Sequence, residues 1–175
     1  MGSIRDNSEI HRRLFAFSGS FTAQRMFEIL RHEESDICRM GAIATVASQV
    51  SVLPSNGDAL ATHWLTATRH PQWSVFKPFI FCHNSRIDDV TVSAADAADE
   101  ESRRHKLYVA HEKFTKLLVE KDAKAQCLLE TLREMECKCL EDVEEMLSAV
   151  GCENQGKLAQ IFQHMAQLEI NFYSM

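Results

Sequence analysis

The chain has 175 residues, 45% of them hydrophobic, and a formal charge of −6. A single domain of this size hides roughly two-thirds of its unfolded surface. Scattered Lys and Arg under a net negative charge exclude a clustered basic surface for nucleic acid. Apolar runs far shorter than the ~20 residues of a membrane helix exclude a helical membrane span.

The start, Met1-Gly2-Ser3-Ile4-Arg5-Asp6, is polar and has no apolar signal core. Gly2 fits a myristoylation start, but Asp6 stands where that pattern needs Ser or Thr. The six Cys, at 38, 82, 127, 137, 139 and 152, read as reduced thiols of a cytoplasmic protein. Residues 1–20 form a loose segment with a small apolar cluster at Leu14, Phe15 and Phe17; residues 21–175 form one domain.

Ser20 is placed to cap a helix over 21–33, in which Ala23, Met26, Phe27 and Leu30 share a face. Gly41 breaks that pattern. From Ala42 the period becomes two, with Ala44, Val46, Val50 and Val52 on one side, which predicts a strand over 42–53. Pro54 to Asp58 supplies a turn, and residues 60–67 return as the second strand of a hairpin. Trp73 to Cys82 is apolar on both faces and predicts a third strand. Pro78 cannot donate to a ladder, so that strand belongs at an edge or a bulge. Residues 83–101 read as a linker without regular period.

Residues 102–175 are the helical part. Leu107, Ala110, Phe114, Leu117, Lys121, Ala125, Leu128, Leu132, Met135, Cys139, Val143, Met146 and Val150 are spaced by threes and fours. No Gly or Pro interrupts them, and the spacing predicts one long helix over 103–149, roughly 70 Å at 1.5 Å per residue. Lys121 on the seam marks the weak point, with a break at Lys121-Asp122 as the alternative. Gly151 suits the position just past the helix. A last helix over 154–172 starts at Asn154 and turns Leu158, Ile161, Phe162, Met165 and Phe172 inward.

Chemistry-bearing residues are few. His105 and His111 are six apart, on opposite sides of a helix, unlike the two His four apart of a helical zinc site. With Glu112 they read as packing and hydrogen-bonding groups. Cys137 and Cys139, two apart on a helix, diverge and read as an exposed thiol and a small buried hydrophobe. Cys38 has only His32 nearby in sequence as a base. Lys77, His63 and Arg69 lie in or beside the strands, and a Lys between Phe76 and Pro78 is expected to snorkel or to pair with a carboxylate. Glu141, Asp142, Glu144 and Glu145 read as a solvated helix face. Catalytic, cofactor-binding and metal residues: none is assigned, and no cofactor is expected.

The most distinctive residues are Thr45-Val46-Ala47-Ser48-Gln49-Val50-Ser51-Val52-Leu53-Pro54, His63-Trp64-Leu65-Thr66-Ala67-Thr68, and Ser74-Val75-Phe76-Lys77-Pro78-Phe79-Ile80-Phe81. With Gln24 to Leu30, Arg103 to Glu112 and the tail Leu168-Glu169-Ile170-Asn171-Phe172, they resemble, in order, segments of the secernins. Leu65 and Ala67 replace a Phe and a Gly of the family pattern. The resemblance runs from about residue 22 to the end.

That resemblance implies an N-terminal-nucleophile hydrolase of the cysteine dipeptidase type. It implies antiparallel sheets between helices, a terminal Cys whose thiolate attacks an amide carbonyl with its own α-amine as base, and a family role in regulated exocytosis. The nucleophile belongs to the half upstream of the matched segments, so no catalytic residue is carried over. The fold expected is α+β: an N-terminal helix, antiparallel strands (42–53, 60–67, 73–82) and C-terminal helices (103–149, 154–172), part of that hydrolase fold. The function expected is that of a C-terminal secernin-like portion inactive alone. Its partners are the missing half or a second copy. The alternative is a non-catalytic interaction protein in secretion, working through its long amphipathic helix. A helical scaffold leaves the strand block without a role.

Overall fold

The computed structural model describes residues 21–55, 59–82, 85, 103–149 and 152–174. The expectations for 1–20, including Ser20 as a cap, for the turn at 56–58, for the 83–101 linker apart from Ser85, and for Val150 and Gly151 lie outside those residues. The described chain is mixed α+β, with a three-stranded antiparallel open sheet.

Helix α1 spans Ala23–Leu30 and is shorter than the expected 21–33. Thr22 caps it, accepting from the Arg25 N–H at 3.2 Å. The chain then turns tightly: Asp36 N–H donates to Glu33 O at 2.8 Å and Asp36 takes φ 59°. Phe27 is the buried residue of α1. Its ring stacks on Phe76 at 4.2 Å and tilts against Trp64 at 5.4 Å.

The sheet has the order β1 (Gln49–Val52), β2 (Thr62–Leu65), β3 (Lys77–Ile80). Val50 pairs with Trp64, and Trp64 with Pro78. The hairpin and the edge position of the Pro78 strand are as expected, but all three strands are shorter. Residues 42–48 are not a strand. Gly41–Ile43 form a 3-10 turn, with Gly41 at φ +76°.

The physical reason is visible at residue 48. Ser48 N–H donates to the Thr66 hydroxyl at 3.0 Å rather than to a backbone carbonyl. The Thr66 carbonyl is taken by Lys77 Nζ at 2.6 Å. Beyond it Ala67 enters the left-handed region at φ 56°, so the returning chain leaves the ladder. The expected alternating face therefore reduces to Val50. Val46 is 70% exposed and Val52 is exposed as well.

The single helix expected over 103–149 is two: α2 (Lys106–Val119) and α3 (Ala123–Ser148). Lys121 sits at φ 60°, Asp122 N–H donates to Leu117 O and Lys121 N–H to Leu118 O, both at 3.0 Å. That bond pair is the Schellman termination of a helix. Asp122 then caps α3, accepting from Ala125 N–H at 2.8 Å. The break rotates the seam: Leu118 is buried where Leu117 was expected, and Leu117 is exposed. Elsewhere the spacing holds, with Leu107, Phe114, Ala125, Leu132, Cys139 and Val143 buried.

Helix α4 runs over Cys152–Tyr173, two residues earlier than expected at its start. Leu158 and Met165 are buried, Ile161 and Phe172 pack at the core margin, and Phe162 meets Phe79 edge-on at 5.8 Å. Helix α4 lies against β3, α2 and α3, which places it at the centre of the layered packing. No described helix is long and apolar enough to cross a membrane.

Candidate functional site

Residues 66–76 connect β2 to β3, and their backbone groups are held mainly by side chains from the four helices. Arg31, at the end of α1, donates through Nε to Pro71 O and through Nη2 to Ser74 O, each at 3.0 Å. The same guanidinium grips Glu136 of α3 bidentately, at 2.7 and 2.6 Å. Glu136 also accepts from Phe76 N–H at 2.5 Å. Arg133, one helical turn away, donates to Ser74 O at 2.5 Å and to Gln72 O. Burial lowers the Arg133 pKa to about 10.

A second group of charges lies deeper. Lys77 and Glu169 are both 0% exposed and form an ion pair at 2.5 Å. Lys77 Nζ also donates to Thr66 O at 2.6 Å and Val75 O at 2.8 Å, which uses all three of its protons. Glu169 accepts in addition from Val75 N–H at 3.3 Å and from the Tyr173 hydroxyl at 2.6 Å. Burial, and then the Glu169 charge, push the Tyr173 pKa well up. The expectation that Lys77 pairs with a carboxylate is met.

His111 extends the network. Its Nε2 lies 2.7 Å from Arg69 O, which requires the proton on that nitrogen, and Nδ1 lies 3.1 Å from the Tyr173 oxygen, where it competes with the nearer Glu169 for the single phenol proton. Burial lowers its pKa to about 4, aided by the positive charges of Lys77 and Arg69, and the imidazole stays neutral. The chain of contacts from Arg69 through His111, Tyr173 and Glu169 to Lys77 is therefore a positioning device for the 66–76 segment. Its amine is fully hydrogen-bonded and its phenol stays protonated.

The other sequence candidates are dispersed. His105 caps α2, its Nδ1 accepting from Leu107 N–H at 3.1 Å. Glu112 is held by Arg104 at 2.8 Å, which lowers its pKa. The three residues are not brought together, as their spacing implied. His63 meets Ser51 across the β1–β2 pair at 2.9 Å.

Cys38 is buried, and burial raises its pKa. The ring Nδ1 of His32 is engaged by Ser35 N–H at 3.2 Å, and the contact from His32 to the Cys38 backbone is its carbonyl, at 3.1 Å. Cys139 is buried, with its pKa pushed up to about 12, and Cys137 is exposed. A thiol held in its protonated form is a poor nucleophile. Of the acidic face, Glu141, Glu144 and Glu145 are exposed, and Lys138 bridges Glu141 at 3.6 Å and Asp142 at 2.9 Å.

Glu136, Arg31 and Arg133 were not singled out in the sequence, and Glu169 was noted only within the tail 168–172, yet the four fix the central segment. A signal was present for the two acids. Glu136 lies four residues after Leu132, and Glu169 four after Met165, so each continues an apolar row of its helix. A charge at such a position needs a buried partner.

A cavity of about 130 Å³ opens beside this network, between the Arg69-His70 corner and the outer face of α2. Compared with known proteins, the chain matches no family model and no solved structure.

Proposed function

We propose that this chain is the supporting C-terminal part of a secernin-like amide hydrolase and contributes no nucleophile of its own. The observation that carries this reading is the outer edge of β1. That strand ends an open sheet, and the apolar residues around it, Ile43, Val46, Val52 and Leu53, are exposed. An exposed apolar edge is a template for further strands, as expected where a sheet continues into a nucleophile-bearing half. The raised pKa values of Cys38, Cys137 and Cys139 support the same reading. A role in regulated secretion belongs to this proposal through the same resemblance.

The alternative, a partner-binding amphipathic helix, is less well supported. The apolar face of α3, with Leu132, Cys139, Leu140 and Val143, is already buried in the core.

The test is reconstitution. The chain is mixed with the N-terminal half of a secernin-family protein, carrying its terminal Cys, and followed by sedimentation and dipeptide hydrolysis. The expected result is no turnover by the chain alone, and a one-to-one complex with alkylation-sensitive turnover in the mixture. Turnover by the chain alone that is lost on Cys38→Ser, or failure of the halves to associate, overturns the proposal.

A further inference from the structure

We propose that the cavity between the Arg69-His70 corner and α2 is a binding site for a small monocarboxylate. Two side-chain nitrogens at this corner, Arg69 Nε and His70 Nδ1, are buried and have no hydrogen-bond partner. Both residues line the cavity. A buried donor left without an acceptor is costly, and such groups in a folded protein call for a specific explanation. A bound oxyanion supplies the acceptor for both, with His70 in the tautomer that carries its proton on Nδ1.

The corner is held rigidly enough to be a site. Ala67 and His70 both occupy the left-handed region, at φ 56° and 54°. Residues other than glycine persist there only where their surroundings fix them. Here His70 N–H donates to Thr45 O at 2.9 Å, and the Ser74 hydroxyl lies 2.8 Å from Arg69 O and 3.1 Å from His70 O. His111 Nε2 donates to the same Arg69 carbonyl. The backbone is thus locked from behind, while the two side chains face the cavity.

Charge selects the ligand. The α2 wall brings Tyr108, Glu112, Thr115 and Lys116. Arg104 pairs with Glu112 at 2.8 Å without removing its charge, and Arg69 and Lys116 are the cations that line the cavity. The Glu112 carboxylate still repels a second negative charge, so a monoanion fits better than a dianion such as phosphate. A planar carboxylate also matches a guanidinium edge and an adjacent ring N–H. The site stands whether or not the chain is part of a hydrolase.

Trp73 reports on it, because its ring lies 5.3 Å from that of His70. The full chain is titrated with sodium acetate at constant ionic strength, against sodium chloride, by tryptophan fluorescence and calorimetry. Acetate is expected to give a saturable response and chloride none. Arg69→Gln weakens acetate binding at least tenfold and Lys116→Gln severalfold, while the remote Lys138→Gln leaves it unchanged. The structural bonds of Arg69 run through its carbonyl, so the near-ultraviolet circular dichroism of Arg69→Gln stays native. If that variant does not fold, the exposed Lys116→Gln decides. N-acetylglycine binds and its methyl ester does not. A linear response, equal affinity in both Gln variants, equal binding of the ester, or phosphate binding more tightly than acetate overturns the assignment.

Discussion

Replacing Lys77 by Met leaves Glu169 fully buried and short of its strongest partner. Removing one member of such a pair typically costs 3–5 kcal/mol, while replacing both with apolar residues can be nearly neutral. Lys77→Met is therefore expected to lose about 4 kcal/mol in urea denaturation, and Lys77→Met with Glu169→Leu substantially less. Equal losses in the single and double variants would show that the ion pair is not the source. His111 sets a pH dependence. Its folded pKa, about 4, lies below the ordinary 6.5, so the unfolded chain binds the extra proton first. The contribution is complete above pH 6.5 and is lost as pH falls from 6.5 to about 4, roughly 3 kcal/mol at full extent. Urea midpoints across that range are expected to fall with pH, and more shallowly in His111→Gln. An unchanged slope in that variant would assign the titration elsewhere.

At the scale of elements, the α2–α3 junction shows both what the sequence makes legible and what it conceals. An apolar spacing of threes and fours passes through Lys121 uninterrupted, so periodicity cannot report the break. The informative residues are Lys121, a charge on the seam, and Asp122, a capping residue followed three positions on by a buried Ala125. The β1–β2 pairing and the edge position of Pro78 follow from local chemistry and were legible. The early end of β1 was not, because it depends on the Thr66 hydroxyl and on Lys77 claiming the Thr66 carbonyl, contacts between distant residues. The same limit applies to the cavity: nothing local marks Arg69 and His70, which meet α2 only in the folded chain. The junction can be tested directly. Lys121→Gly relieves a left-handed residue of its Cβ and is expected to stabilise by about 1 kcal/mol. Asp122→Ala removes the cap and is expected to cost about 1 kcal/mol. Thermal melts with opposite shifts support the break; shifts of the same sign argue against it.

For the molecule as a whole, the exposed apolar residues are unevenly distributed. Ile43, Val46, Val52 and Leu53 cluster on and beside β1, with Phe21, Phe81, Leu117 and Val119 exposed elsewhere, whereas the core is closed around Phe27, Trp64, Phe76 and Leu132. The purified chain is therefore expected to self-associate through the β1 edge. Natural sheets protect such edges with Lys. Val52→Lys is expected to shift sedimentation toward monomer without lowering the melting temperature, since Val52 is already exposed. A wild-type chain that is monomeric at high concentration would remove the basis for this expectation.

The Lys77–Glu169 pair joins residues 92 positions apart, and this matters for the order of synthesis. Domains generally begin to fold as the chain emerges from the ribosome, N-terminal parts first. Here the three described strands, all made by residue 80, must wait with a lysine in their interior until α4 is made. A premature stop at Glu169 is thus expected to be as damaging as one that removes all of α4. Protease digestion of ribosome-arrested chains would show it: strand protection should appear only after Glu169 has left the exit tunnel, and earlier protection would refute the dependence.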